Sequence, residues 1–326
     1  MDRRRFVEVA GACLLGAAAG ARAQPAPRVY RLGILRPTAP FRDDRIAGGI
    51  PRALAELGYT EGTNLVIEQR FANGAATALP GLARELVALG VDAVVTVGTA
   101  ASRAAKDATT TIPIVIYGNL DPVASGLAAS LARPGGNVTG VLIAAEGTLA
   151  VKKLELLMEV APRGSRIALL APSDPGFALQ LAEVRKAAAA LRADVVVVEV
   201  KDNDFERAFA SIAAAKCGAL FVGATTYFVA NRRPIIDLAL KYRIPAIWEW
   251  PEQVEDGGLM SYGGSLTDTY RRLALCIDQV FKGARPSELP IDQQTKFRLV
   301  INQRTAKAIG LAIPRSMLLR ADEVIA

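Results

Sequence analysis

The chain has no histidine and only three cysteines, Cys13, Cys217 and Cys276. Without an imidazole, a Ser-His-Asp triad, a Cys-His pair, a His-ligated metal and a histidine acid–base catalyst are all excluded. Cysteines this far apart form neither a C-x-x-C redox motif nor an all-cysteine zinc site. GxSxG, GxxxxGK[ST] and HExxH are also missing, and no strand-like run leads into G-x-G-x-x-G. Asp43-Asp44 reads as a pair of solvated helix-opening acids rather than a metal site. These absences predict no catalytic residues, no metal and no cofactor. What is abundant is apolar material, 51% of 326 residues, enough for two cores at roughly 100–200 residues per domain.

Residues 1–23 read as an export signal. Arg3, Arg4 and Arg5 open it, an apolar stretch runs from Val9 to Ala19, and Ala21-Arg22-Ala23 supplies an A-x-A cleavage site. Arg3-Arg4-Arg5-Phe6 also fits the twin-arginine form R-R-x-F. A transmembrane anchor needs about 20 apolar residues, and this stretch is far shorter. The signal carries four Arg and two acids, so its removal leaves 35 basic and 30 acidic residues. A nucleic-acid footprint would be a clustered basic stripe interleaved with aromatics. Arg232-Arg233 and Arg271-Arg272 are isolated pairs on helix-like segments, so no nucleic-acid partner is expected. Cys217 precedes a strand-like run and Cys276 sits mid-helix, which predicts two buried thiols.

The remaining chain alternates strand-like and helix-like segments. Strands are expected at 29–35, 64–70, 93–97, 114–117 and 138–141, with amphipathic helices near 44–57, 78–89, 100–108 and 122–132. A second series places strands at 166–170, 194–200, 219–222, 246–248 and 259–261 and helices near 148–160, 177–191, 204–214, 229–242 and 266–282. This spacing is the signature of parallel βαβ units. Val195 to Val198 is too continuously apolar for a strand with one wet face, so its sheet is covered on both sides. The fold class expected is therefore α/β, with two doubly wound parallel-sheet lobes joined by a hinge. Residues 24–143 plus about 264–290 form the N-terminal lobe and 144–263 the C-terminal lobe. The segment 291–326 could return to either.

In open parallel sheets, ligands sit beyond the carboxyl ends of the strands, and pockets favour domain interfaces. The loops at those ends include Arg36-Pro37-Thr38, Gly98 to Ser102, Gly118 to Pro122, Ala171 to Asp174, Gly223 to Tyr227, Glu249-Trp250 and Tyr262 to Gly264. Hydroxyls beside helix starts suit a carboxylate or another anion. The expected ligand contacts are Thr99, Ala100, Ala101, Gly118 and Asn119 at the anion, with Thr225, Thr226, Trp248, Glu249 and Tyr262 across the cleft. Each has a plainer reading. Thr99, Thr225 and Thr226 could be turn or cap residues, Trp248 and Trp250 end a strand aimed at the cleft, where one is expected as a stacking wall although an aromatic at a strand end is often core, and Glu249 could meet a ligand ammonium or simply water. Asp121-Pro122 reads as a structural helix opening.

Four blocks carry a specific resemblance. NLVIEQR (64–70), VGTAASRAAKDATTTIPIV (97–115), DPVASGLAASLARPGGNVTGV (121–141) and TKFRLVINQRTAKAIGLAIPRSMLLRADEVI (295–325) resemble ABC transporter substrate-binding proteins of the tryptophan/tyrosine type. The resemblance implies a type I periplasmic-binding-protein fold that closes by a hinge. It also implies a periplasmic location, a small-molecule solute with aromatic amino acids as candidates, and delivery to the membrane permease of an ABC importer. Two other readings remain open on the residues alone: a periplasmic module signalling to a membrane receptor kinase, and a hydrolase or lyase on a similar two-lobed fold.

Overall fold

The computed structural model describes residues 28–40, 48–143, 148–173, 177–201 and 203–326. The export signal, Cys13, Asp43, Asp44 and Asp174 lie outside the described residues. Two α/β lobes account for the rest.

The first lobe is built on β1 (Tyr30–Arg36), β2 (Leu65–Phe71), β3 (Ala93–Val97), β4 (Ile114–Gly118) and β5 (Val138–Leu142), with helices α1 (Gly49–Ala55), α2 (Leu79–Ala88) and α3 (Gly98–Ala108). Its strands run parallel in the order β2-β1-β3-β4-β5. Alternation along each strand feeds two cores. Leu32, Ile34, Val95, Val97, Val115 and Tyr117 face one side, and Leu35, Val94, Ile114 and Ile116 the other. A strand buried on both faces needs near-continuous apolar sequence, which β3 and β4 supply.

The second lobe repeats the plan with α4 (Thr148–Val160), β6 (Arg166–Pro172), α5 (Ala178–Leu191), β7 (Val195–Val200), α6 (Phe205–Ala214), β8 (Cys217–Val222), α7 (Thr226–Ala230), α8 (Arg232–Lys241), β9 (Ala246–Trp248), α9 (Pro251–Glu255) and β10 (Met260–Gly263). The strand order is β7-β6-β8-β9-β10. In both sheets the order reverses beside the first strand of the lobe, at β1/β3 and β6/β8, which opens a crevice at the carboxyl ends. Val195 and Val197 pack into one core and Val196 and Val198 into the other, although β7 is an edge strand and only half-buried at its start.

The chain crosses between lobes three times. After β5 it enters α4, which packs on β8, β9 and β10. After β10 it returns as α10 (Leu266–Phe281), capped by Ser265, whose Oγ accepts from the Asp268 amide. Buried positions 266, 269, 270, 273, 274, 277, 280 and 281 form one helical stripe, and it lies on β3, β4 and β5. The closing segment then divides. The short β11 (Asp292–Gln293) pairs with β5, whereas β12 (Arg298–Asn302) pairs antiparallel with β10. Helices α11 (Gln303–Ala308) and α12 (Arg315–Arg320) follow, and β13 (Glu323–Ile325) pairs parallel with β12. The second sheet is thus mixed rather than wholly parallel.

Two expected helices differ. Residues 122–132 form successive turns, because Gly126 at φ +67° takes the left-handed conformation that ends a helix. Asp121 does act as a cap there, its Oδ1 accepting from the amides of Val123 and Ala124 at 2.9 Å. The segment near 229–242 divides into α7 and α8 around Asn231, since Pro234 has no N–H to give Ala230. Cys217 and Cys276 are free thiols, both half-buried, and burial pushes the Cys276 thiol up to about 11. No helix among the described residues is long and apolar enough to cross a membrane.

Gly140 shows how tightly β4 and β5 meet. It sits at φ +148°, and an added methyl would collide with the carbonyl oxygen of Ile116. Gly140→Ala is expected to lower stability by about 2–4 kcal/mol, combining backbone strain with overpacking. Urea unfolding measures this, and a loss below about 1 kcal/mol would contradict the packing described.

Candidate functional site

Where the two lobes meet, the first lobe presents the carboxyl ends of β1, β3 and β4. Leu35 lies opposite Thr96 and Val97 opposite Tyr117, so Arg36, Val97 and Tyr117 stand in a row across three neighbouring strands. Arg36 is only 3% exposed and Tyr117 is buried. Tyr270 comes down from α10 beside them, its ring centroid 6.0 Å from that of Tyr117 at an interplanar angle of 46°. Burial pushes both phenols up from their usual range, and the nearby Arg36 guanidinium pulls both back. Burial also lowers Arg36, but a guanidinium keeps its charge in a protein.

The loop after β3 meets the loop after β4. Gly118 has φ +136°, and a side chain there would press on the amide nitrogen of Gly98, at 3.3 Å. Thr99 and Asn119 are half-buried at this junction. Ala100 is exposed, whereas Ala101 is buried in the core beneath α3 and can offer a ligand only its backbone. The N-cap residue of α3, Val97, has no side chain able to cap it, so its first-turn N–H groups are left uncapped by that residue.

The second lobe answers with the loop into α7 and with α9. Thr225 caps α7, its Oγ1 accepting from the Phe228 amide at 3.2 Å, and Thr226 is half-buried beside it. Ala224 and Val229 pack into the same apolar cluster as Tyr117 and Tyr270, so the two lobes touch here. Trp250 joins that cluster at 2% exposure, and its indole N–H is buried without a hydrogen-bond partner. Glu252 reaches across to the start of α10. Its Oε1 accepts from Ser265 Oγ at 3.1 Å and from the Thr267 amide at 3.3 Å, while Oε2 is buried with no partner. Burial raises the Glu252 carboxyl above the usual carboxylate range.

Trp248 and Glu249, expected at the cleft, are buried inside the second lobe, and Tyr262 is half-buried at the end of β10. Trp248 lies in the core of the second lobe, because β9 turns Ala246 and Trp248 toward α8 and Ile247 toward α4. A cavity of about 10 Å³ beside Trp248 is at the lower limit for one water and far too small for a solute. Glu249 does meet an ammonium, but an internal one. Lys153 Nζ lies 2.7 Å from its carboxylate, both groups are almost wholly buried, and the same nitrogen stands 4.3 Å from the Phe221 ring centroid. Tyr262 packs on the second-lobe core with its ring 6.2 Å from Phe297. Where the lobes meet stand also Arg36, Tyr117, Tyr270 and Glu252, which the sequence did not single out, and Trp250, one of the two tryptophans of which one was expected as a stacking wall. Arg36 and Trp250 fall within loops flagged there, but Tyr270 reads only as part of a helix stripe. Among the described residues no group of three or more Cys, Asp or Glu could hold a metal ion.

This arrangement can be compared with known proteins. The profile described as ABC transporter substrate binding protein matches residues 40–325. The chain belongs to that family. As a substrate-binding protein it is one of a group of extracytoplasmic solute binders. It is 25% identical over 270 residues to a tyrosine-binding protein of Clostridioides difficile, covering 82% of this chain and 77% of that one. A Streptococcus pneumonia ABC domain crystallised with L-Trp is 27% identical, with a TM-score of 0.78, 91% of this chain and all of that chain covered. A conserved domain protein from Vibrio cholerae gives a TM-score of 0.80 at 25% identity, with the same coverage.

The Lys153–Glu249 pair gives this substrate-binding protein a measurable structural element. Removing one partner of a buried ion pair strands the other charge, so Lys153→Met is expected to cost about 3–5 kcal/mol of stability. The double variant Lys153→Met, Glu249→Gln should recover most of that loss. Urea unfolding of the two variants tests this, and a double variant as unstable as the single one would contradict it.

Proposed function

We propose that this chain is the solute-binding component of an ABC importer, exported through residues 1–23, and that it carries a small carboxylate-bearing solute to a membrane permease. An aromatic amino acid is the candidate solute. The observation that carries the reading is a buried seam between the two lobes where polar side chains from both meet. Arg36, Tyr117 and Tyr270 stand on one wall, Trp250 and Glu252 on the other, and two polar atoms of the second wall, Trp250 Nε1 and Glu252 Oε2, have no partner among the described residues. Relatives named for tyrosine and crystallised with L-Trp support the aromatic class.

In this reading the crossing from β5 to α4 and those near 263–266 and 293–298 form the hinge, between an N-terminal lobe (24–143 with about 264–290) and a C-terminal lobe (144–263 with 298–326). A solute shifts the balance toward closure only as far as it binds the closed state more tightly, which requires contact with both lobes. The carboxylate is assigned to the first lobe, near the uncapped start of α3 at Thr99, Ala100 and Ala101 and the adjoining Gly118-Asn119. The distal part lies toward Thr225, Thr226 and Trp250.

Mass spectrometry of small molecules released from freshly purified protein tests the solute class directly. Thr99→Val and Thr225→Ala are each expected to weaken L-tryptophan or L-tyrosine binding about tenfold, the scale of one lost hydrogen bond. Thr225→Ala should also cost about 1 kcal/mol of stability through the lost cap. Unchanged affinity in both variants would remove these anchors. The indole emission should respond to L-tyrosine through Trp250 and not Trp248, so Trp250→Phe abolishes the change and Trp248→Phe retains it.

A further inference from the structure

We infer that the buried Lys153–Glu249 ion pair positions Trp250: it fixes the short connection between β9 and α9 so that the indole is delivered to the seam with the first lobe. Lys153 and Glu249 are positioning residues, acting through Trp250 and touching no solute themselves. For affinity this rests on the seam being the solute site; for the placement of the indole it does not.

Three consecutive side chains enter three different surroundings. Trp248 ends β9 in the second-lobe core, Glu249 turns to Lys153 on α4, and Trp250 joins the cluster that holds Tyr117 and Tyr270 of the first lobe. Trp250 is extended, and α9 starts at the next residue. A connection of two residues has no slack, since consecutive Cα atoms are about 3.8 Å apart. Where Glu249 is held therefore decides where Trp250 can reach. Glu249 is held from two sides. Its carboxylate lies 2.7 Å from Lys153 Nζ, and its carbonyl oxygen lies against Gly263, where an added methyl would collide with it. Beyond it, the Trp250 amide donates to Gln253 Oε1 at 3.2 Å, which ties the same connection to α9.

Stability does not account for the pair. Replacing a buried ion pair by apolar side chains of similar volume is often neutral or stabilising. What a charge-assisted hydrogen bond supplies is direction, because a 2.7 Å contact fixes both of its ends where apolar packing lets them slide. The two side chains are 1% and 4% exposed, so water does not compete for the contact. The Lys153 ammonium also stands 4.3 Å from the Phe221 ring centroid, which fixes its own place against β8. Lys153 lies on the helix that receives the chain from the first lobe, and Gly263 ends the strand from which the chain returns. Glu249 is gripped between these two elements beside the crossings, and Trp250 is carried with them.

Trp248→Phe leaves Trp250 as the one indole, since the chain has two tryptophans. In that background, acrylamide quenching of the emission reports the exposure of Trp250 with no solute present. Lys153→Met together with Glu249→Gln is expected to keep most of the stability and yet raise the quenching constant about threefold, as a side chain loses the support that fixed it. Isothermal titration should then show L-tyrosine or L-tryptophan binding weakened about tenfold, the scale of one misplaced aromatic contact. Leu86→Ala, a cavity in the first-lobe core away from the seam, should cost stability and leave the quenching unchanged. Should the double variant fail to fold, Glu249→Gln alone, which keeps an acceptor for the Lys153 ammonium, carries the same comparison, with a rise of the same sign. Quenching no greater than in the Trp248→Phe parent would overturn the positioning role. A loosened indole with undiminished solute affinity would overturn its part in binding. If the unmodified protein binds neither amino acid, the solute reading falls, and the quenching still decides the placement.

Discussion

The two lobes meet through buried polar groups that neither lobe completes alone. Burial removes water from Arg36, Tyr117, Tyr270, Trp250 and Glu252, and polar groups deprived of water must find partners or carry the cost. Some of that requirement is met inside the chain, where Glu252 accepts from the start of α10 across the lobe boundary. The rest is not, and the unmet part lies on the wall formed by α9. Unpaired buried atoms also occur in the second-lobe core, at Trp248 Nε1 and Ser261 Oγ, so what marks this place is that Trp250 and Glu252 lie where the two lobes meet.

The scaffold explains why those atoms converge. A doubly wound sheet gathers its loops at the carboxyl ends, where the strand order reverses, and here two such reversals face each other. Arg36 ends β1 and Gly98 follows β3, the two strands flanking the first reversal. The return of the chain through α10 then brings Tyr270 onto the same edge, against Gly49, where a side chain would collide with the phenol ring. Glu249 and Glu252 show how finely the geometry sorts similar residues. Glu249 follows the last residue of β9 and turns under the sheet to Lys153, whereas Glu252 lies on the first turn of α9 and turns toward α10.

Much of this was legible in the residues. β3 and β4 are short apolar runs bounded by turn residues, and their limits follow from that pattern almost residue for residue. α10 is legible from its stripe and its Ser265 cap. The strands β11 and β13 were not, since Asp292–Gln293 and Glu323–Ile325 are two and three residues long and take their register from partners distant in sequence. The pairing of β12 with β10, which makes the second sheet mixed, is likewise a tertiary fact. At the site the difficulty was phase. Trp248, Glu249 and Trp250 span the change from a strand period of two to a helical period of 3.6, so a loop expected to face the other lobe did not reveal which side chain pointed there. Tyr270 was hidden for the opposite reason, because a partly polar residue inside an apolar stripe looks like core.

The same unmet groups set the energetics of the proposed closure. Bringing the lobes together buries Trp250 and Val229 against the first lobe, and a large apolar side chain contributes about 1.5–3 kcal/mol when it leaves water. Against this, an indole N–H and a carboxylate oxygen lose water without gaining a partner, at about 1–3 kcal/mol each. These terms are of similar size and opposite sign, so an empty gap gives neither arrangement a large advantage. A solute that supplies the missing donor and acceptor removes the unfavourable side and leaves the apolar contact to act. Closure in this reading is then conditional on chemistry at two atoms.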